Sequence, residues 1–380
     1  MKVIVVLIAD LLKTPPALSV IKALDDLKHE VIVCTVGNSI KDYQESLKNV
    51  NHVKFELICD NYEDNISLFQ KLSRMRSIRK NLWKKIDRYY DNNTLIWVLS
   101  DVSVKHLGKE LLSRNYLIHF LELIEDMYYI SGNPILKLDR KAYVGKAKTI
   151  IECEYNRAHI TKAWWDLPKL PDVLPNKPYI SINISKDAEI TSSVEIKNII
   201  KKIEGKKIVL YQGNISKERP LDGYIKAISE LGNDWAFVMM LNGENPYQNI
   251  KSTNVYYIPF VAPPFHLEVT SHAYIGVLSY VPVKNSHSIL NTLYCAPNKI
   301  WEYSKFGIPM ISNDLPALKY LFDTKHIGYC SDRMTINSIK TTLLKIDSNY
   351  NELSANAKTF YNSYDYKRKV SEIIKKSSSK

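Results

Sequence analysis

Short apolar runs alternate with helix-period stretches along this chain, in two series separated by one proline-rich break. The first series is Val3 to Ala9, Glu30 to Val36, Val53 to Ile58, Leu95 to Leu99, Leu117 to Leu121 and Thr149 to Cys153. Strand-length runs spaced by amphipathic segments point to a parallel sheet, because each parallel strand needs a long crossover before the next can begin. The pattern breaks at Val173-Leu174-Pro175-Asn176-Lys177-Pro178 and stays polar through Lys202. It restarts at Lys207 to Gly213 and continues near Trp235 to Leu241, Val255 to Ile258, Ala273 to Leu278 and Met310 to Ile311. The expected class is therefore α/β with two Rossmann-like domains, residues 1–175 and 206–362, joined by a linker over 176–205. A helical, charged segment closes the chain.

The bulk properties agree with two folded domains. A chain of 380 residues exceeds the usual size of one core, and 45% apolar with 24% charged residues is ordinary for a globular protein. Lys and Arg number 52 against 40 Asp and Glu, a net charge of +12. Polyanions, acidic lipids and phosphorylated small molecules are all attractive to such a surface, but no nucleic-acid recognition motif accompanies the charge, so none is expected as a partner. Five scattered cysteines without a CxxC pair argue against a zinc site or a disulfide framework and set a reducing cytoplasm as the default. The run Val3 to Ala9 is cut short by Asp10, so it reads as a strand and not as a leader. No window nears the roughly 20 apolar residues of a spanning helix, which leaves peripheral contact as the expected form of any membrane association.

Chemistry concentrates in Ala296-Pro297-Asn298-Lys299-Ile300-Trp301-Glu302-Tyr303, followed by Lys305-Phe306-Gly307-Ile308-Pro309-Met310-Ile311-Ser312. It reads as a short amphipathic helix with one carboxylate, a glycine stop, a proline and a buried strand. A second motif, Tyr211-Gln212-Gly213-Asn214-Ile215-Ser216-Lys217-Glu218-Arg219-Pro220, runs from a strand through glycine into a helix start. Glycine lets backbone approach an anion, and a helix N-terminus with basic side chains favours phosphate. Together these segments resemble the nucleotide-binding segments of GT-B glycosyltransferases, in particular glycosyltransferase family 4. The resemblance implies a GT-B fold, two Rossmann-like domains facing across a cleft, with the final segment 363–380 a helix returning to the first domain. It implies that Glu302 accepts hydrogen bonds from the donor ribose and that Gly213 and Arg219 meet the diphosphate. Asn214 replaces a basic residue common in the family, with Lys217 as a substitute. Asn291, Pro297, Asn298 and Lys299 match an "N-x5-P-N-K" subgroup pattern. Asn298 also reads as a natural N-cap, and Lys299 as a solvated helix charge. The loop Val281 to Asn291 would bring backbone amides to the phosphates. Tyr274 and Tyr294 stand where family members often carry Asp and Glu, so sugar handling is expected to differ.

On the first domain, Tyr116 to Asp126 is a strand running into acidic residues at its carboxyl end, where open α/β sheets place ligands. Glu122 and His119 are the catalytic candidates, Glu122 as a group that positions or deprotonates the acceptor hydroxyl. Strand alternation puts them on opposite faces, so only one need face a ligand. Arg157 reads as a phosphate contact or a helix cap. No Asp-x-Asp pair occurs, so the expectation is a metal-independent enzyme without a cofactor, its nucleotide sugar being the substrate. The resemblance implies a hexosyl or related transferase, retaining, taking a UDP-linked sugar by preference to a carbohydrate or lipid-linked glycan acceptor in surface polysaccharide synthesis. A sugar-nucleotide epimerase or hydrolase and a non-catalytic nucleotide-sugar-binding subunit are the alternatives on the same fold. The stretch Lys71 to Tyr90 is strongly basic, with Leu72, Met75, Ile78, Leu82 and Ile86 at helical spacing. It reads either as a packed helix with a solvated face or as a contact with an anionic membrane, which would place the protein at the inner face of the cell membrane.

Overall fold

The structure is a computed structural model that describes residues 1–378 apart from 38, 61–66, 130–136, 251 and 284–287. It divides into two compact units, the first comprising Met1–Ser181, Asn285–Asn291 and Asp365–Lys380, the second Ile182–Lys284 and Thr292–Tyr364. The stretch 176–205 is thus shared between them, and it holds a helix, Val194–Lys202, belonging to the second unit.

The first unit is built on seven strands: β1 (Lys2–Asp10), β2 (Glu30–Val36), β3 (Val53–Leu57), β4 (Thr94–Leu99), β5 (Tyr116–His119), β6 (Ile150–Glu152) and β7 (Asp172–Val173). Their order is β3-β2-β1-β4-β5-β6-β7, every pair parallel. Because helices cover both faces, β1 is apolar in both pleat directions, with Val3 through Leu7 almost fully buried. On one face Ile4, Val6 and Ile8 join Ile32, Ile96 and Val98 in a core closed by Ile78, Leu82 and Ile86 of the helix Leu68–Ile86. That helix opens with a capping box between Ser67 and Gln70. Its basic residues divide by role. Arg79 donates to the Lys105 and His106 carbonyls at 2.8 and 3.0 Å, and Lys85 pairs with Glu56 at 2.7 Å. Arg76, Lys80 and Lys84 stay exposed. The last helix, Tyr366–Ser378, packs on the helix Pro15–Asp26, and Tyr366 stacks on Tyr179 at 5.7 Å between ring centroids.

The second unit repeats the plan with β8 (Lys207–Asn214), β9 (Trp235–Asn242), β10 (Val255–Pro259), β11 (Ile275–Leu278), β12 (Met310–Asn313) and β13 (Gly328–Ser331), in the order β10-β9-β8-β11-β12-β13, again all parallel. Two parallel-sheet α/β units of this kind make a GT-B fold. The helix Asn298–Lys305 lies against β11. Close approach is possible because β11 carries Gly276, where a Cβ would fall 2.3 Å from the Tyr303 ring. Tyr303 is fully buried and its hydroxyl donates to the Leu210 carbonyl at 2.9 Å, tying the helix to β8.

Candidate functional site

In the second sheet the chain runs outward from β8 to β10 and then returns to place β11 on the other side of β8. The crevice at the carboxyl ends of the strands flanking such a reversal is where open α/β sheets bind ligands. Here those ends are Gln212-Gly213-Asn214 on β8 and Ser279-Tyr280 after β11.

Glu302 is the centre of the polar cluster at this edge. It is 4% exposed, and both carboxylate oxygens are engaged. Gln212 Nε2 donates to Oε2 at 2.5 Å, and His266 Nε2 lies 3.2 Å from Oε1. Thr270 in turn donates to Gln212 Oε1 at 2.7 Å, which orients the amide with its NH2 toward the carboxylate. Burial alone would raise the carboxyl pKa, but His266, Lys299 and the Gln212 hydrogen bond outweigh it and hold the group below the usual carboxylate range. Glu302 is therefore an ionised acceptor fixed in place. Each oxygen retains a lone pair for a ligand hydroxyl.

Two cations stand beside it. The Lys299 ammonium lies 5.3 Å from the ring centroids of both Tyr211 and Tyr280, and the Arg219 guanidinium lies 5.4 Å from Tyr280. Aromatic faces stabilise cations where water is excluded. At Gly213, φ +123°, a Cβ would stand 3.4 Å from Lys299 Nζ, an ordinary contact. It is the positive φ that calls for glycine there. Lys299 is buried, so its reading as a solvated helix charge is corrected. Its pKa falls to about 7, through burial first and the neighbouring Arg219 second.

Other expected donor residues are placed as follows. Asn214 ends β8 and accepts from Asn242 Nδ2 at 2.8 Å, and Lys217 is exposed in the loop beyond. Pro297 occupies the N-cap position and Asn298 is the first helical residue with no side-chain cap, so the N-cap reading of Asn298 is corrected. Pro297, at φ −67° with an extended ψ of 140°, is the last non-helical residue, so the helix starts one residue earlier than an Asn298 cap would place it. Residues 284–287 of the loop expected to offer amides lie outside the described residues. Tyr274 stacks on Tyr350 at 4.0 Å and donates to Asp347 at 2.8 Å, a packing role. Gln212, His266 and Thr270 were not singled out from sequence. They come from β8 and from the helix His266–Thr270, far apart in the chain, and only the sheet order joins them to Glu302.

The first unit has its own polar edge. Glu122 is exposed and accepts from Asn291 Nδ2 at 2.9 Å, while Asn291 Oδ1 accepts from the Leu123 amide at 2.9 Å. The structure thus groups Asn291 with Glu122 in the first unit. Arg157 is buried and donates to the Leu121 and Asn291 carbonyls at 3.3 and 3.0 Å. The N-cap of its helix is Glu154, which accepts from the Arg157 amide at 3.0 Å. His119 is buried within the sheet, with Trp97 Nε1 donating to its Nδ1 at 3.4 Å. Burial pushes its pKa down to about 3, so it is a neutral core imidazole. Among the described residues, no three of His, Cys, Asp and Glu stand together as a metal site.

No protein-family model matches the chain, and no curated protein matches it. Solved structures do. The chain is similar to Anabaena HepE in complex with UDP-glucose, with a TM-score of 0.66 at 11% identity over 99% of each chain. It is similar to sucrose-phosphate synthase from Thermosynechococcus elongatus, with a TM-score of 0.63 at 12% identity, covering 99% of this chain and 98% of that one. A glycosyltransferase from Rickettsia africae gives 0.63 at 12% identity, covering 99% and 97%. At such identities the likeness is one of fold, the two-domain GT-B architecture.

Proposed function

We propose that the chain is a glycosyltransferase that moves a sugar from a nucleotide donor, UDP-linked by preference, to a carbohydrate or lipid-linked acceptor. The observation that carries this reading is the buried, ionised Glu302 set beside Lys299 and Arg219 at the strand-order reversal of the second sheet. A carboxylate held by protein donors suits the two hydroxyls of a ribose, and cations on tyrosine faces suit a diphosphate. The binding of UDP-glucose by HepE, a protein of the same fold, supports the UDP preference.

In this reading Arg219, Lys299 and the Gly213 backbone neutralise charge as the bond from the anomeric carbon to the phosphate oxygen breaks, and no metal is required. The acceptor oxygen forms its bond on the same face of the sugar, so configuration is retained. Glu122, exposed on the first unit, is the group that orients or deprotonates the acceptor hydroxyl. A thermal-shift screen of nucleotide sugars tests the donor assignment: a ligand at 100 times its dissociation constant adds about 2.7 kcal/mol. Stabilisation by a UDP-sugar followed by transfer to a glycan supports the reading. Free sugar or an epimer formed without acceptor would instead support a hydrolase or epimerase.

The helix Leu68–Ile86 supports the lipid-linked acceptor. Phe69 is 84% exposed, and Arg76, Lys80 and Lys84 lie on the same helical side at spacings of seven, four and four. An exposed aromatic beside basic residues suits the surface of an anionic bilayer. No described helix is long and apolar enough to cross a membrane. Binding to anionic vesicles, lost on replacing Phe69, Arg76, Lys80 and Lys84 together, is the expected result. Equal binding of that variant would remove the membrane from the account.

A further inference from the structure

Lys299 is 8% exposed, and among the described residues its ammonium has no carboxylate within ion-pair distance and no hydrogen bond. Glu302, one turn further along the same helix, attracts it, yet both Glu302 oxygens already serve Gln212 and His266. Arg219 faces it from the loop after β8 and repels it. Cys295 approaches from the preceding segment, and the rings of Tyr211 and Tyr280 cover it from β8 and from the end of β11. The N-terminus of the helix Asn298–Lys305 adds positive potential, and its N-cap residue Pro297 supplies no side-chain acceptor. Lys299 is thus a buried amine beside a second cation and a helix start, and the carboxylate that attracts it is committed elsewhere. What Lys299 lacks, among the described residues, is an anion within ion-pair distance.

We propose that an anionic ligand and a proton enter this site together, a diphosphate settling beside Arg219 and Lys299 while the Lys299 amine takes up a proton from the buffer. One N–H bond forms on the amine lone pair, the buffer acid loses that proton, and no other bond changes. This rests on the donor reading above and adds a proton linkage to it. Before binding, burial and Arg219 hold the Lys299 pKa at about 7. A diphosphate raises it. Affinity is therefore full below pH ~7 and falls above it by up to about tenfold per pH unit. Tyr211, pushed up to about 12 by burial, stays neutral throughout this window.

The test is calorimetric titration of the full chain with UDP-glucose and with GDP-mannose, in Tris and in HEPES, between pH 6 and 8.5. Both probes carry doubly esterified diphosphates whose charge is constant over this range. The expected result is uptake of roughly 0.5 proton at pH 7 and roughly 0.9 at pH 8, with affinity falling roughly eightfold from pH 7.5 to 8.5. Lys299→Arg, a permanent cation, should bind with no proton uptake and no such fall, and Lys299→Met should lose affinity at every pH. Binding by the parent protein without proton uptake would overturn the linkage and leave the donor reading standing. Unchanged uptake in a folded Lys299→Arg protein would do the same. Failure of both probes to bind at any pH would remove the donor reading and the proposal with it.

Discussion

Glu152 in the first unit and Glu302 in the second are both buried carboxyls near sheet edges, and they come out with opposite protonation. Glu152 is 0% exposed; Thr161 donates to one oxygen at 2.6 Å and the other has no hydrogen-bond partner. Burial dominates over the Thr161 bond and the Arg157 charge, and its pKa rises to about 8. Glu302 is no better solvated, but His266, Lys299 and Gln212 turn the balance the other way. Burial by itself makes a neutral acid, whereas burial with a matched set of donors makes a standing charge. Only the second arrangement is built to meet a polar ligand. His119, driven neutral in the first sheet, repeats the lesson with the opposite charge.

The largest expected effect comes from destroying the matched set. Glu302→Ala leaves Lys299 and the Gln212 and His266 donors without their carboxylate, which should cost about 3–5 kcal/mol of stability by chemical denaturation and remove donor binding as well. A stable variant with unchanged donor affinity would break the contrast between the two carboxyls. Glu152 tests the other side. Its native pKa lies above the unfolded value of 4.5, so the native state holds a proton that the unfolded chain has lost. Stability contributed by this group is therefore full below pH 4.5, declines by up to about 1.4 kcal/mol per pH unit through the window to pH 8, and is flat above. Glu152→Gln should abolish that decline and be more stable than the parent at pH 8, on the order of 4 kcal/mol. Equal pH profiles for the two proteins would show that Glu152 is not a buried acid.

Smaller effects sharpen the comparison. Arg219→Ala should lower turnover at subsaturating donor by roughly 10- to 150-fold, the equivalent of about 1.5–3 kcal/mol for a charged hydrogen bond, with little change in melting temperature. Equal activity would take Arg219 out of the site. His119→Phe takes the acceptor from Trp97 Nε1 but should leave turnover within about threefold, since a neutral imidazole buried in the core takes no part in the chemistry. A collapse of activity in a folded His119→Phe protein would return His119 to the catalytic list and make the first sheet edge a second charge-handling site.

Sequence showed the frame well and the partner set poorly. Alternation of apolar runs located eleven of the strands, because buried parallel strands need apolar side chains on both faces. It missed β7 and β13, where Asp172-Val173 and Gly328-Tyr329-Cys330-Ser331 are too short and too polar to stand out. Gly276 reads as an ordinary strand residue, and only the Tyr303 ring lying over it explains it. Glu302 was legible because a short helix, a glycine stop and a strand frame it locally. The contributions of Gln212, His266 and Thr270 depend on distant segments meeting at β8. Likewise the basic run from Lys71 to Tyr90 hides the division between Arg79, which caps carbonyls, and Lys84, which faces solvent.

The central claim is that the carboxyl edge of β8 and β11 is a nucleotide-sugar site, and the most direct test is a crystal structure of the chain with UDP-glucose bound. The account predicts ribose hydroxyls donating to Glu302 and the diphosphate against Gly213, Arg219 and Lys299. A nucleotide bound elsewhere, with Glu302 still engaged only by Gln212 and His266, would contradict it.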